Sequence, residues 1–285
     1  MKIVLLGASG YLAGHVTRLL IDQDHEVVEY HRSKPRAPLT DAVRVVRSTT
    51  DLPVTIGKDR PDLVVNMANL YTRQSDLATV ARLVDVNSLL MSLVAEACLQ
   101  TGARLLHVGS AWQADLSAGS LGLDEAPIYS LHRGVASSIG RWYRIHRGLD
   151  FAELALADTY GPDDPRGKLI TQMLTSARAG ASEFALGSRN PTLYPVHVDD
   201  VARCVVAAVG TPHPGSQDPW LCAWQPGISV GQLVTIINDL YGLAMVPKFG
   251  SQPPRSELDL NGFSRIANWE PSISPREGLL LLGAR

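Results

Sequence analysis

The chain begins with a short apolar run, KIVLL (residues 2–6), that breaks into GASGYLAG (residues 7–14) and continues as LAGHVTRLLIDQ. A strand that turns on glycine into an amphipathic helix opens a βαβ unit, and this constrains the fold more than any other segment. Gly7 permits the tight turn, and Gly10 lets the backbone approach a pyrophosphate that the first helical amides meet with partial positive charge. Ala13 supplies the small residue needed where the helix packs on the strand. With Ser9, Tyr11 and Leu12 in the same turn, the segment predicts a dinucleotide site. The alternative is a strand-to-helix turn that holds nothing.

The rest of the first half has the alternation such a start requires. HEVVEY (25–30), VRVV (43–46), DLVVNMA (62–68), RLLHV (104–108) and DFAELALA (150–157) read as strands. Leu83, Val86, Leu90, Val94 and Ala97 recur at helical spacing and stop at Thr101-Gly102, and a second long helix is expected from about Tyr129 to His146. The expected architecture is α/β, a Rossmann-type doubly wound parallel sheet. Later stretches such as YGPDDPRGK, GSRNPT, TPHPGSQDP and FGSQPPRS are rich in Pro, Gly and polar residues, as in a smaller lobe of short elements and long loops. The division read from the sequence gives residues 1–163 to the dinucleotide domain, with 194–224 returning to it. Residues 164–193 and 225–285 form a small, discontinuous substrate lobe.

Composition narrows the partners. A chain of 285 residues with 45% hydrophobic content can bury a full core, and a formal net charge of -2 gives no bulk field for nucleic acid or anionic membranes. The N-terminal stretch has no secretory h-region, and the chain has no run of about 18 apolar residues, so a cytoplasmic protein free of membrane is expected. Cys98, Cys204 and Cys222 are far apart and show no C-x-x-C spacing, which argues against a disulfide framework or a structural metal.

The end of the second strand selects the dinucleotide. NAD users present an acid there for the ribose 2'-hydroxyl, whereas this chain reads EYHRSK, with His31, Arg32, Ser33 and Lys34 in that place. These groups suit a 2'-phosphate, and NADP(H) is expected with Arg32 as chief contact. Strand alternation is expected to point Glu29 elsewhere. A solvated basic loop is the other reading.

Taken in order, the motifs resemble those of the extended short-chain dehydrogenases/reductases, the family of nucleotide-sugar epimerases, dehydratases and 4-ketoreductases. GASGYLAG stands for the family's G-x-x-G-x-x-G, NMAN (66–69) for its H-x-A-A, and VDVNSLL places Asn87 in the following helix. HVGSAW carries Ser110, YSLHR (129–133) stands for Tyr-x-x-x-Lys, and DTYGPDD, PVHVDDVA and NWEPSISPREGL complete the series. The resemblance implies Tyr129 as proton donor, Ser110 as the hydroxyl that orients the substrate carbonyl, and Met67, Ala68, Asn69 and Asn87 beside the cofactor. A phenol serves as acid when a nearby cation favours its ionised form. The family's Lys does this one helical turn on and also binds the nicotinamide ribose. Here Arg133 occupies that place, and it must either replace both contacts or mark a departure.

Departures from the family point to a reaction class. Ser110 is followed by Ala111 and Trp112 rather than the Asp-Glu pair of the dehydratases, and the basic second-strand end leans toward net reduction by NADPH. The expected activity is reduction of a 4-keto group on a nucleotide-activated deoxysugar. An epimerase with retained cofactor, or a nucleotide-binding member with weakened chemistry, are the alternatives. Trp112 is a candidate pocket wall, and Asp158, Arg166, Lys168, Arg189 and Arg255 are candidates for gripping the substrate. The resemblance also implies a homodimer through the two long helices.

Overall fold

The computed structural model describes residues 1–113, 127–212, 218–252 and 258–283. The chain divides into two units, the first comprising 1–156, 202–221 and 259–269, the second 157–201, 222–258 and 270–285. The sequence pattern assigns 157–163, 194–201 and 222–224 to the first unit and 259–269 to the second. The difference comes from strand pairing. Asp158–Tyr160 and Pro195–His197 bind each other as a parallel ribbon instead of extending the large sheet, and the backbone of Ser264 bonds to Pro219 and Leu221.

The first unit carries strands β1 (Lys2–Leu6), β2 (Glu26–His31), β3 (Val43–Val45), β4 (Leu63–Asn66), β5 (Arg104–Ser110) and β6 (Phe151–Leu156). These pair in parallel, and an outer strand, β11 (Trp220–Cys222), completes the order β11-β6-β5-β4-β1-β2-β3. This is the doubly wound order expected from the sequence. Its switch point lies between β1 and β4, where ligands bind in such sheets. Helices α1 (Tyr11–Asp22), α2 (Leu52–Asp59), α3 (Leu77–Leu83), α4 (Leu90–Thr101) and α5 (Ile128–Arg147) alternate with the strands.

Residues 84–89 join α3 to α4 through a π-helical turn. The continuous helix Leu77–Thr101 is long enough and apolar enough to cross a membrane, although polar residues interrupt its apolar run. Its apolar residues have another use. Leu90, Met91, Val94, Ala95, Ala97 and Cys98 pack into one core with Val4, Leu6, Val28, Val64, Leu105 and Phe151.

The second unit has its own core, built from Tyr160, Ile170, Met173, Leu174, Leu193, Leu233, Ile237, Met245 and Leu279. Around it stand α6 (Leu169–Arg178), α8 (Val230–Tyr241) and α9 (Pro275–Gly283), with α7 (Val198–Gly210) running back to the first unit. The short pairs are β7–β10 (Asp158–Tyr160 with Pro195–His197), β8–β13 (Glu183–Ser188 with Val246–Gln252) and β9–β12 (Thr192–Leu193 with Ile228–Ser229). Two of the sequence motifs meet here. The fully buried Asp200 of PVHVDDVA accepts hydrogen bonds from the backbone of Ser272 and Ile273 and from the Ser272 hydroxyl, which anchors the NWEPSISP segment.

Candidate functional site

The turn after β1 has the shape a dinucleotide needs. Gly7 sits at φ +83°, and a Cβ there would come to 2.7 Å of the Ala68 backbone nitrogen, so the first turn and the end of β4 approach too closely for any side chain. Gly10 caps α1 with extended backbone and no side-chain hydrogen bond. The start of a helix, where backbone amides point outward with partial positive charge, is a place where an anion is stabilised. Ser9 and Gly10 are exposed, Tyr11 and Leu12 half-buried, and Ala13 is packed inside as expected. A bound dinucleotide fits this turn.

At the end of β2 two expectations need correction. His31 is buried and its Nε2 lies 3.2 Å from the Glu29 carboxylate, so its ring is engaged within the protein rather than offered to a phosphate. Glu29 is not pointed elsewhere. Residues two apart share a strand face, which brings its carboxylate to His31 and to the Leu39 amide at 3.4 Å. Arg32 and Ser33 remain outside, and the Arg32 side chain, 57% exposed, meets Asp85 at 3.1 Å.

Tyr129 opens α5 half-buried. Its phenolic oxygen accepts a hydrogen bond from the side-chain amide of Asn69 at 3.1 Å, and its ring stands edge-on to Tyr71 with centroids 5.4 Å apart. Asn69 itself is exposed, while Met67 and Ala68 before it are half-buried. The Ser110 hydroxyl accepts from the Trp112 amide at 3.2 Å. A hydroxyl in that role keeps its own hydrogen to donate. Trp112 is buried. Gly109 before Ser110 admits no side chain, because a Cβ would lie 2.5 Å from an oxygen of the buried Glu153. That carboxylate is held by Gln113 at 3.0 Å and by Ser137.

Arg133, read as either replacing both lysine contacts or marking a departure, has its side chain inside the protein. Its guanidinium, 1% exposed, donates to the Val108 carbonyl at 2.5 Å and to Asn87 Oδ1 at 3.3 Å, and lies 3.4 Å from His107 Nε2. A planar fork of five donors seeks carbonyl acceptors, and the edge of β5 and the π-helical turn supply them. Asn87 returns its amide to the Leu83 carbonyl at 2.9 Å, just before the π-helical turn. His107 also faces the Asn66 amide at 3.3 Å. A neutral imidazole has one lone-pair nitrogen, so it satisfies one of these donors and not both. Burial, reinforced by the positive charge of Arg133, holds the His107 imidazole well below its ordinary range near 6.5, and it is neutral. Asn66, His107 and Tyr71 gave no signal in the sequence beyond their places in or beside a motif.

The substrate candidates fall in the second unit. Arg166 grips the buried Asp164 through two 2.7 Å bonds, which commits it to a local fork rather than to a ligand. Asp158 accepts from the Tyr194 amide at 2.9 Å and thereby holds the β7–β10 ribbon. Lys168 is half-buried at the N-terminus of α6. Arg189 is exposed, and Arg255 lies outside the described residues.

Residues 3–221 match the NAD dependent epimerase/dehydratase family. A CDP-abequose synthase of Yersinia pseudotuberculosis is 22% identical over 84% of this chain and 84% of its own length. Among solved structures, UDP-glucuronic acid 4-epimerase of Bacillus cereus in complex with UDP-glucuronic acid and NAD superposes with a TM-score of 0.78 at 18% identity. It covers 98% of this chain and 96% of that one. UDP-glucose 4-epimerase of Thermotoga maritima gives 0.74 at 20% identity, over 99% and 97%.

Proposed function

This chain belongs to the NAD dependent epimerase/dehydratase family, and from that premise we propose that it reduces the 4-keto group of a nucleotide-activated deoxysugar with NADPH. The observation that carries the reading is the end of β2, where Arg32 stands exposed in the place that NAD users give to an acid. A guanidinium there favours a 2'-phosphate through a charge-assisted contact. Net reduction is the use to which a phosphorylated cofactor is suited, and Ala111 and Trp112 in place of an Asp-Glu pair directly after Ser110 speak against dehydration. The sequence relative is named for a CDP-linked sugar and the structural neighbours for UDP-linked ones, which supports a nucleotide sugar as substrate.

Gly7, Ser9, Gly10, Tyr11 and Leu12 would hold the pyrophosphate, Arg32 and Ser33 the 2'-phosphate, and Met67, Ala68 and Asn69 the space beside β4. A bound NADPH supplies the hydride. Ser110 donates its hydroxyl hydrogen to the carbonyl oxygen and orients it. Tyr129 gives its proton to that same oxygen as charge develops there, so the carbonyl ends as an alcohol. Among the described residues, Lys168 and Arg189 are the candidate cations left for the diphosphate, and Arg255, outside them, is a third.

The test is NADPH oxidation with a panel of dTDP- and CDP-4-keto-6-deoxyhexoses. Turnover is expected with at least one, and Tyr129→Phe lowers it by about 10²- to 10⁴-fold. Turnover of a free ketone alone would overturn the substrate class, and isomerisation without net oxidation would favour an epimerase. A homodimer belongs to the same reading. Val84 and Leu89 before α4, and Trp142 and Ile145 on α5, are exposed apolar residues on the two long helices.

A further inference from the structure

Two departures from the family motifs occur together in this chain, and the structure connects them. Arg133 stands where the motif has Lys, and Asn69 stands where H-x-A-A has its final Ala. The guanidinium is spent on Val108, Asn87 and His107 and is buried among them. The phenolic oxygen of Tyr129 receives its hydrogen bond from the Asn69 amide instead, 60 residues away in sequence and 3.1 Å away in space. We propose that Asn69 is the positioning residue of the proton donor, the group that holds Tyr129 and stabilises its oxygen when the proton leaves. The inference rests on the reading of Tyr129 as that donor.

The physical case is one of hydrogen-bond direction. An amide nitrogen only donates. With Asn69 donating, the phenolic oxygen uses a lone pair toward it and its own hydrogen stays free for transfer. Once the proton is gone, the same N–H faces a negative oxygen, and a hydrogen bond to a charged group is about twice as strong as one to a neutral group. The interaction is therefore stronger after proton release than before, as catalysis requires of any stabilising contact. A neutral donor does this with less reach than an ammonium, but it adds no charge to an exposed rim. Tyr71, edge-on to the phenol ring, limits the ring from a second side. Arg133 is left to tie β5, the π-helical turn and α5 together.

The experiment uses the full chain and three variants: Asn69→Ala, Asn69→Asp and Tyr129→Phe. Asn69→Ala is expected to lower kcat about tenfold, the worth of one hydrogen bond, with KM for the keto sugar changed less than about twofold. The alkaline limb of the kcat profile moves to higher pH by about one unit, since one unit corresponds to about tenfold in equilibrium. Asn69→Asp keeps the shape, loses the donor and adds a like charge, so its limb moves further. A readout independent of turnover is the tyrosinate absorbance of each variant minus that of the same protein with Tyr129→Phe. Its midpoint is expected to follow the same order.

A merely structural Asn69 would lower kcat in both variants alike and leave both midpoints in place, which overturns the proposal. So would full activity in Asn69→Asp, because the carbonyl oxygen would then be the atom that faces the phenol. Loss of activity in Tyr129→Phe beside an unaltered Asn69→Ala sinks this inference and leaves the reductase intact. Full activity in Tyr129→Phe sinks the reading of the donor itself. With no keto sugar turned over at all, the absorbance titration still decides whether Asn69 stabilises the phenolate.

Discussion

Arg133 and Arg32 are both cations that the sequence assigns to a cofactor, and the structure gives them opposite surroundings. Arg133 is 1% exposed and bonds to the Val108 carbonyl and to the Asn87 side chain beside it. Arg32 has a side chain 57% exposed and forms a surface ion pair with Asp85. A surface pair of that kind contributes about 1 kcal/mol or less and exchanges readily for a better anion. A buried guanidinium has no such freedom, because leaving its place strands the acceptors it satisfied. The comparison teaches that charge read from a motif fixes neither role nor availability. Burial and the nearest acceptors do.

The sharpest way to break the comparison is to remove each arginine. Arg133→Ala takes the guanidinium donors away from the Val108 carbonyl and from Asn87 Oδ1 and opens a cavity, and it is expected to cost about 3 kcal/mol of stability. The urea denaturation midpoint measures this. Unchanged stability with weakened cofactor binding would make Arg133 a ligand after all. Arg32→Ala is expected to leave stability within about 1 kcal/mol and to raise KM for NADPH by roughly 10- to 100-fold, with NADH unaffected. Equal losses for the two cofactors would return Arg32 to the status of a solvated surface charge.

A smaller effect tests the core side alone. His107 is neutral in the fold, and the unfolded chain takes up a proton at this residue once the pH falls below about 6.5. Because the folded value is the depressed one, its contribution is fully present above that pH and is lost as the pH falls. The loss is about 1.4 kcal/mol per unit until the folded imidazole itself protonates. Stability measured between neutral and mildly acid pH is expected to show this slope, and His107→Gln to flatten it. An equal slope in the variant would show that another group carries the acid sensitivity.

The first unit was the more legible of the two for a physical reason. Parallel strands buried on both faces read as continuous apolar runs, and KIVLL, DLVVNMA and RLLHV fall on β1, β4 and β5 with little displacement. The second unit is held by short strand pairs, two of them only two or three residues long, whose partners lie tens of residues apart, and no local pattern announces those. Its polar residues misled for the same reason. Arg166 and Asp158 look like ligands in a Pro- and Gly-rich stretch, yet Asp164 and the Tyr194 amide claim them.

By itself, the sequence determined the doubly wound sheet, the glycine turn at Gly7 and Gly10, and the place of Tyr129 at the start of a long helix. All of these follow from periodicity and from residues whose backbone freedom or chemistry is local. Only the tertiary structure decided what each charged or amide group touches. It brought Asn69 to Tyr129, drew Arg133 onto Val108 and Asn87, and closed His31 against Glu29. Hydrogen bonds between residues 60 or 46 positions apart depend on the packing of whole elements, and a motif's spacing records only those within one.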